Sequence, residues 1–237
     1  MVGKRLLVLS LCLIVFVSSA MADIKILEKD TVIQGIKCSK GYVKFHESGK
    51  LREVYLYQNQ EIQGIKCVKG YVAFYESGKL FSANLSQDQE IQGIKFLRDT
   101  RLIFYELGKL YSAHLSQDQE IQGVKCAEGY SFYLHKSGKL SNAYFSHDQT
   151  IQEIKCAKGY IKFYESGKLE SANLSQDQEI QGIKCAKGYI NFYKSGKLVE
   201  IYLSQDQEIQ GIEYKQKTKI LFNEKGKVAK SYKHLMY

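Results

Sequence analysis

The fold is decided by residues 71–95, which read YVAFYESGKLFSANLSQDQEIQGIK. Val72 and Phe74 fall on alternate positions between Tyr71 and Tyr75, which is the two-residue period of a β-strand. Gly78 follows, at the point where a tight hairpin with a bulge requires a positive φ. The stretch therefore predicts a β-hairpin that places the Val and Phe side chains on one face.

Two motifs of this stretch recur along the whole chain at one period. Units repeat every 29 or 30 residues, and seven copies of each motif predict a repeat array in which residues 23–237 form a single domain. The first Ile of the Ile-Gln-Gly motif lies at Ile33, Ile62, Ile91, Ile121, Ile151, Ile180 and Ile209, and the glycine of the Ser-Gly-Lys motif at Gly49, Gly78, Gly108, Gly138, Gly167, Gly196 and Gly226.

Each unit is predicted to contain three strands. In the quoted unit the second strand covers residues 80–85, a polar turn covers 87–90, and the third strand begins at Ile91. Seven such units would supply about 21 strands, more than the roughly ten that an open twisted sheet usually holds. We therefore expect an all-β protein whose elongated, coiled sheet is built from antiparallel hairpins.

The core motif also resembles a known repeat family. Tyr-Glu-Ser-Gly-Lys-Leu at residues 75–80, followed 13 residues after its glycine by Ile-Gln-Gly, resembles the variant MORN-type repeats of exported bacterial proteins over residues 33–232. The resemblance implies β-hairpins stacked into an elongated sheet that serves as an interaction scaffold. The chain departs from that family in its lack of tryptophan and its longer period. From the residues alone, a parallel β-helix and a leucine-rich repeat remain alternatives.

Residues 1–22 have the features of a secretory signal peptide. Basic residues precede an apolar run over residues 6–17, and Ala20 and Ala22 supply the small residues of an A-x-A cleavage site. The apolar run is shorter than the roughly 20 residues that cross a bilayer as a helix. We predict cleavage before Asp23 and a secreted, periplasmic or cell-surface protein.

Composition narrows the classes of protein further. The chain of 237 residues has no proline and no tryptophan but 18 tyrosines, which excludes collagen-like, proline-rich and disordered classes. Its net charge of +9 suits an acidic polymer or an anionic membrane surface, and Lys109 and Lys139 of a recurring turn lysine are candidates for that contact. Nucleic acid is not an expected partner of an exported protein.

A column of tyrosines is the main candidate binding surface. Tyr75, Tyr105, Tyr164 and Tyr193 share one repeat position and are expected in solvent, on the face opposite the Val and Phe columns. Such a stripe of rigid amphipathic rings suits a protein, peptide or glycan partner. Cross-strand aromatic contacts that only stabilise the sheet are the alternative.

No residue pattern indicates catalysis, a metal or a cofactor. The chain has no C-x-x-C motif or paired histidines, and its recurring Asp and Glu residues are expected in solvated turns. We predict a non-enzymatic scaffold, with a β-helix enzyme that acts on a polysaccharide as a further alternative. Buried free thiols are predicted in a column shared with Phe96 and Tyr214, at Cys38, Cys67, Cys126, Cys156 and Cys185.

Overall fold

The computed structural model describes residues 23–232, which form 29 β-strands and no helix. The predicted signal peptide at residues 1–22 lies outside the described residues, as do residues 233–237. In chain order the strands are β1 (Ile24–Leu27), β2 (Thr31–Ile33), β3 (Ile36–Cys38), β4 (Gly41–Phe45), β5 (Leu51–Leu56), β6 (Gln60–Ile62), β7 (Ile65–Cys67), β8 (Gly70–Phe74), β9 (Leu80–Asn84), β10 (Gln89–Ile91), β11 (Ile94–Phe96), β12 (Arg101–Phe104), β13 (Leu110–His114), β14 (Gln119–Ile121), β15 (Val124–Cys126), β16 (Ser131–Leu134), β17 (Leu140–Phe145), β18 (Gln149–Ile151), β19 (Ile154–Cys156), β20 (Gly159–Phe163), β21 (Leu169–Leu174), β22 (Gln178–Ile180), β23 (Ile183–Cys185), β24 (Gly188–Phe192), β25 (Leu198–Tyr202), β26 (Gln207–Ile209), β27 (Ile212–Tyr214), β28 (Lys219–Phe222) and β29 (Val228–Tyr232).

The longer strands form one antiparallel meander that runs the length of the array. Each unit contributes two of them, and β1 and β29 are the outermost strands of the sheet among residues 23–232. All pairings between the described strands are antiparallel, so the predicted elongated hairpin sheet is confirmed and the parallel β-helix is excluded, as is a leucine-rich repeat. The strand order in the sheet is β1, β4, β5, β8, β9, β12, β13, β16, β17, β20, β21, β24, β25, β28, β29.

The prediction of a single third strand in each unit is wrong, because this segment forms a short hairpin of two strands. In the quoted unit, β10 and β11 pair with each other on either side of Gln92 and Gly93. Both turn residues have positive φ, 52° and 79°, as a two-residue turn of the primed type requires. Ile91 and Ile94 flank the turn, and these apolar residues led to the prediction of one continuous strand. Each unit therefore has four strands, not three.

The seven short hairpins form a second layer over one face of the meander. Their apolar residues join the Val and Phe columns of the sheet in one core, in which Phe96, Phe132 and Ile161 are almost completely buried. The five cysteines of the described chain lie in this core as free thiols, as predicted. The opposite face of the meander carries no second layer within residues 23–232, and we call it the open face.

Two recurring glutamines hold the hairpin layer in place, one in the hairpin turn of every unit and one at the start of the hairpin in every unit but the first. Gln63, in a hairpin turn, donates from Nε2 to the Gly78 carbonyl at 2.9 Å and accepts the Leu80 N–H at 3.1 Å. Gln89, the first residue of the next hairpin, accepts the Lys66 N–H of the preceding hairpin at 3.0 Å. The hairpin turn is therefore tied to the meander, and neighbouring hairpins are joined to each other by side chains.

Candidate functional site

The open face carries a row of tyrosines that the strand alternation places in solvent. In β20 and β24, Tyr160 and Tyr189 precede the buried residues Ile161 and Ile190, and their exposed fractions are 51% and 50%. The tyrosines at this strand position, and at the cross-strand positions opposite it, are called the open-face tyrosine row, which comprises Tyr42, Tyr55, Tyr71, Tyr144, Tyr160, Tyr189, Tyr202 and Tyr232.

Cross-strand pairing brings members of this row side by side. Tyr55 lies opposite Tyr71, and their ring centroids are 5.7 Å apart in an edge-to-face arrangement. Tyr144 lies opposite Tyr160 and also stacks on Tyr130 at 4.0 Å. The row thus presents flat, amphipathic surfaces fixed on a rigid sheet, which suits recognition of a partner with an apolar face and polar groups.

The middle of the row is polar and basic instead of aromatic. Arg101 pairs with Asn84 on one side and with His114 on the other, and His114 pairs in turn with Ser131. These residues separate the row into an N-terminal group of three tyrosines and a C-terminal group of five. The open face therefore differs from unit to unit, although the units share one backbone geometry.

Lysine and glutamate side chains pair on the open face beside the tyrosines. Lys162 donates to Glu170 at 2.6 Å, and this hydrogen bond raises the pKa of the lysine above its usual value. A matching pair joins Lys219 and Glu200 at 2.7 Å. The charges of these pairs largely cancel, so they do not make the open face a strongly basic surface.

The predicted tyrosine column lies elsewhere, along the edge formed by the hairpin turns of the meander. These rings are half-buried, not solvent-exposed as expected. Each hydroxyl donates to a backbone carbonyl of the next unit: Tyr75 to Phe104 at 2.7 Å, Tyr105 to Leu134 at 2.9 Å, Tyr164 to Phe192 at 2.7 Å and Tyr193 to Phe222 at 2.8 Å.

These hydrogen bonds give the column a structural role that accounts for its repetition. His46 and His135 replace tyrosine in two units, and each ring Nε2 lies 3.0 Å or 2.9 Å from the same carbonyl of the next unit. Burial is the main cause of the raised pKa values of Tyr75 and Tyr105. A binding role for the column stays a prediction.

Most of the turn lysines also form hydrogen bonds to the next unit of the array. Lys139 donates from Nζ to the Ser166 carbonyl of the next unit at 3.0 Å, and Lys50, Lys168 and Lys197 make the equivalent bond. Among residues 23–232, Lys79 and Lys109 make no such bond. The two predicted lysine candidates, Lys109 and Lys139, therefore differ in their surroundings.

A cleft of about 580 Å³ lies on the turn edge where this lysine pattern is interrupted. It brings together three of the predicted residues, Tyr75, Tyr105 and Lys109, whereas Lys139, Tyr164 and Tyr193 lie farther along the edge. Leu107 is at the tip of the turn, with 90% of its surface exposed. The remaining lining residues are Ser77, Lys79, Glu106 and Lys136.

The recurring aspartates and thiols have local structural roles. Asp88 accepts the backbone N–H of Arg98 at 2.8 Å, and the aspartates or asparagine at the same position of the other units accept an equivalent N–H. Burial raises the pKa of Cys67, Cys126 and Cys185 to about 12. Within residues 23–232, no group of three or more His, Cys, Asp or Glu side chains is arranged to hold a metal ion.

Sequence reasoning missed the open-face row and the Leu107 turn, although each had a signal. The alternation that buries Val72 also turns Tyr71 outward, and a Gly-Tyr pair repeats this arrangement in four units. Leu107 stands where five units have serine and one has lysine, so a comparison of the units would have found it.

Comparisons of this chain with protein-family models, curated proteins and solved structures found no match. The resemblance to MORN-type repeats therefore stays a prediction that rests on the quoted motifs. No helix among residues 23–232 is both long and apolar enough to span a membrane. The described structure itself defines the class of the protein, an all-β repeat array with an open sheet face.

Proposed function

We propose that the protein is an exported, non-enzymatic β-repeat scaffold that binds a protein, peptide or glycan partner through the open face of its sheet. The exposure of the open-face tyrosine row is the observation that carries this proposal. Tyr160 and Tyr189 keep half of their surface exposed on a face that no second layer covers in the described chain. Exposed tyrosines on rigid elements supply contact area at a low cost in conformational entropy.

The variation of the open face supports a recognition role. Residues that hold the array together recur in nearly every unit, whereas the position of Tyr160 holds tyrosine, arginine, serine or lysine. A partner that contacts several units would meet a specific sequence of aromatic and charged groups. The role of the recurring aspartates, which accept backbone N–H groups, supports the non-enzymatic part of the proposal.

The proposal is tested by partner binding to the wild type and to a variant with Tyr160→Ser and Tyr189→Ser. Serine occupies the same position naturally at Ser131, so the substitutions suit the fold. Binding to a glycan array and to surface extracts of the producing cells is measured for both proteins. We expect capture to fall about tenfold or more, because removal of an aromatic anchor commonly costs over 1 kcal/mol.

A variant of the hairpin layer serves as the matched control. Glu179→Gln with Lys184→Gln alters two exposed residues on the other side of the protein and should leave capture unchanged. Equal capture by the wild type and the tyrosine variant would overturn the proposal, as would a common loss in both variants. Circular dichroism of all three proteins checks that each one retains its β structure.

A further inference from the structure

Leu107 breaks the turn motif at one unit of the array. The Ser-Gly-Lys turn reads Leu-Gly-Lys here, and the Leu107 side chain is 90% exposed. Burial of a leucine side chain stabilises a folded protein, and the exposed Leu107 side chain does not contribute this stabilisation. The turn itself needs no leucine, because serine serves at the same position in five other units.

Positive charge is concentrated around this leucine. Lys79, Lys109 and Lys136 line the cleft, against the carboxylate of Glu106 in the lining and that of Glu165, which lies near Tyr105. Lys136 stands where the two preceding units and the following unit have glutamate, and its Nζ lies 6.0 Å from the centroid of the Tyr105 ring. The Nζ groups of Lys79 and Lys109 make none of the carbonyl contacts that fix their counterparts. The site therefore combines an apolar side chain with available cations.

We propose that this cleft binds an extended acidic peptide that carries a large apolar side chain between its carboxylates. Charge complementarity selects the acidic groups, and Leu107 with the Tyr75 and Tyr105 rings selects the apolar one. Successive units are two strands apart, about 10 Å. Three residues of extended chain also span about 10 Å, so carboxylates spaced by about three residues match lysines of successive units.

The peptide would bind by its side chains and not by strand addition. Backbone groups of the turn are paired internally, since the Tyr105 N–H donates to the Lys109 carbonyl and the Gly108 N–H to the Tyr105 carbonyl. An added strand needs an unpaired sheet edge, which this turn does not offer. The surface is separate from the open face, and its variants share no residue with those that test the proposed function.

The test is selection of a random-peptide display library on the full protein, followed by titration of the enriched peptides in solution. We expect enrichment of peptides with acidic residues about three positions apart and a large apolar residue between them. Leu107→Ser should weaken binding about tenfold, through loss of apolar burial. Lys136→Glu should weaken it at least as much, and affinity should fall as salt rises.

Lys194→Glu is the matched control, because it changes the same repeat position by the same charge two units away and should leave affinity unchanged. Enrichment of no peptide, or of peptides without acidic residues, would overturn the proposal. Equal weakening by Lys136→Glu and Lys194→Glu would show that the loss of affinity comes from the net charge of the protein. That result would overturn the proposal as well. Binding to phosphatidylglycerol vesicles that depends on Leu107, with no peptide enriched, would assign the site to a membrane instead.

Discussion

The two faces of the meander differ in how strictly they repeat. On the covered face, the central residue of the first sheet strand of each unit is always apolar and has no exposed surface: Val43, Val72, Leu102, Phe132, Ile161, Ile190 and Ile220. One residue earlier, on the open face, the same strands carry Tyr42, Tyr71, Arg101, Ser131, Tyr160, Tyr189 and Lys219.

The comparison shows that a residue type recurs from unit to unit where its side chain contacts other residues of the array. A covered position must fill the space between the meander and the hairpins, and only apolar residues of suitable size pack there without cost. An open position meets solvent, so the fold accepts tyrosine, arginine or serine equally well. Residues that recur therefore indicate how the array is held together, and residues that vary mark positions that the fold leaves exposed to solvent.

The largest expected difference between the faces is in thiol reactivity. Burial raises the pKa of Cys126 from 9.0 to about 12. Because the thiolate is the reactive form, its fraction at pH 8 should be about a thousandfold lower than in the unfolded chain. Asn173→Cys on the open face should instead react at the rate of an ordinary thiol. Alkylation by iodoacetamide, followed by mass spectrometry, measures both rates.

The pH profile and a second site sharpen this prediction. The alkylation rate of native Cys126 should rise about tenfold per pH unit toward pH 12, because the raised pKa keeps the thiol protonated below that value. Cys38, in the first hairpin, should react sooner, since its surroundings are less buried. Native Cys126 that reacts as fast as the introduced open-face thiol would contradict the described hairpin layer.

Substitution of neighbouring residues in β20 compares the faces directly. Ile161→Ala removes a fully buried side chain and should lower the free energy of unfolding by about 2–5 kcal/mol. Tyr160→Ala, one residue earlier, removes a half-exposed ring and should cost under about 1 kcal/mol. Urea unfolding, followed by circular dichroism, gives both values. Similar losses in the two variants would mean that the open face is covered in solution.

Much of the covered face could be predicted from the sequence, because its determinants are local. The alternation of Val72 and Phe74 identifies the sheet strand, and Gly78 identifies the turn. The Ile-Gln-Gly-Ile hairpin was missed because its short strands are stabilised by contacts far away in the chain. The Gln63 side chain forms hydrogen bonds with backbone groups 15 and 17 residues later in the chain. The sequence pattern around Gln63 does not indicate such distant hydrogen bonds.

The structural role of the turn-edge tyrosines also depends on a group that is distant in the sequence. Their alternation with the Val and Phe columns correctly excludes them from the core, and it led to the expectation of a solvent-exposed stripe. The acceptor of Tyr75, however, is a carbonyl 29 residues away in the next unit. The period of the repeat brings the two groups together, and only the geometry of adjacent turns shows that the hydroxyl reaches across.

Removal of a tyrosine hydroxyl should change the free energy of unfolding least of all the substitutions, and by different amounts at the turn edge and on the open face. Tyr105→Phe keeps the ring but removes the hydroxyl that donates to the Leu134 carbonyl at 2.9 Å. A net loss of about 1 kcal/mol in the free energy of unfolding is expected for one such bond. Tyr189→Phe on the open face should change that free energy by less than about 0.5 kcal/mol. Equal, negligible changes would show that the hydroxyl of Tyr105 does not hold adjacent units together, and the turn-edge column would then regain its place as a candidate binding surface.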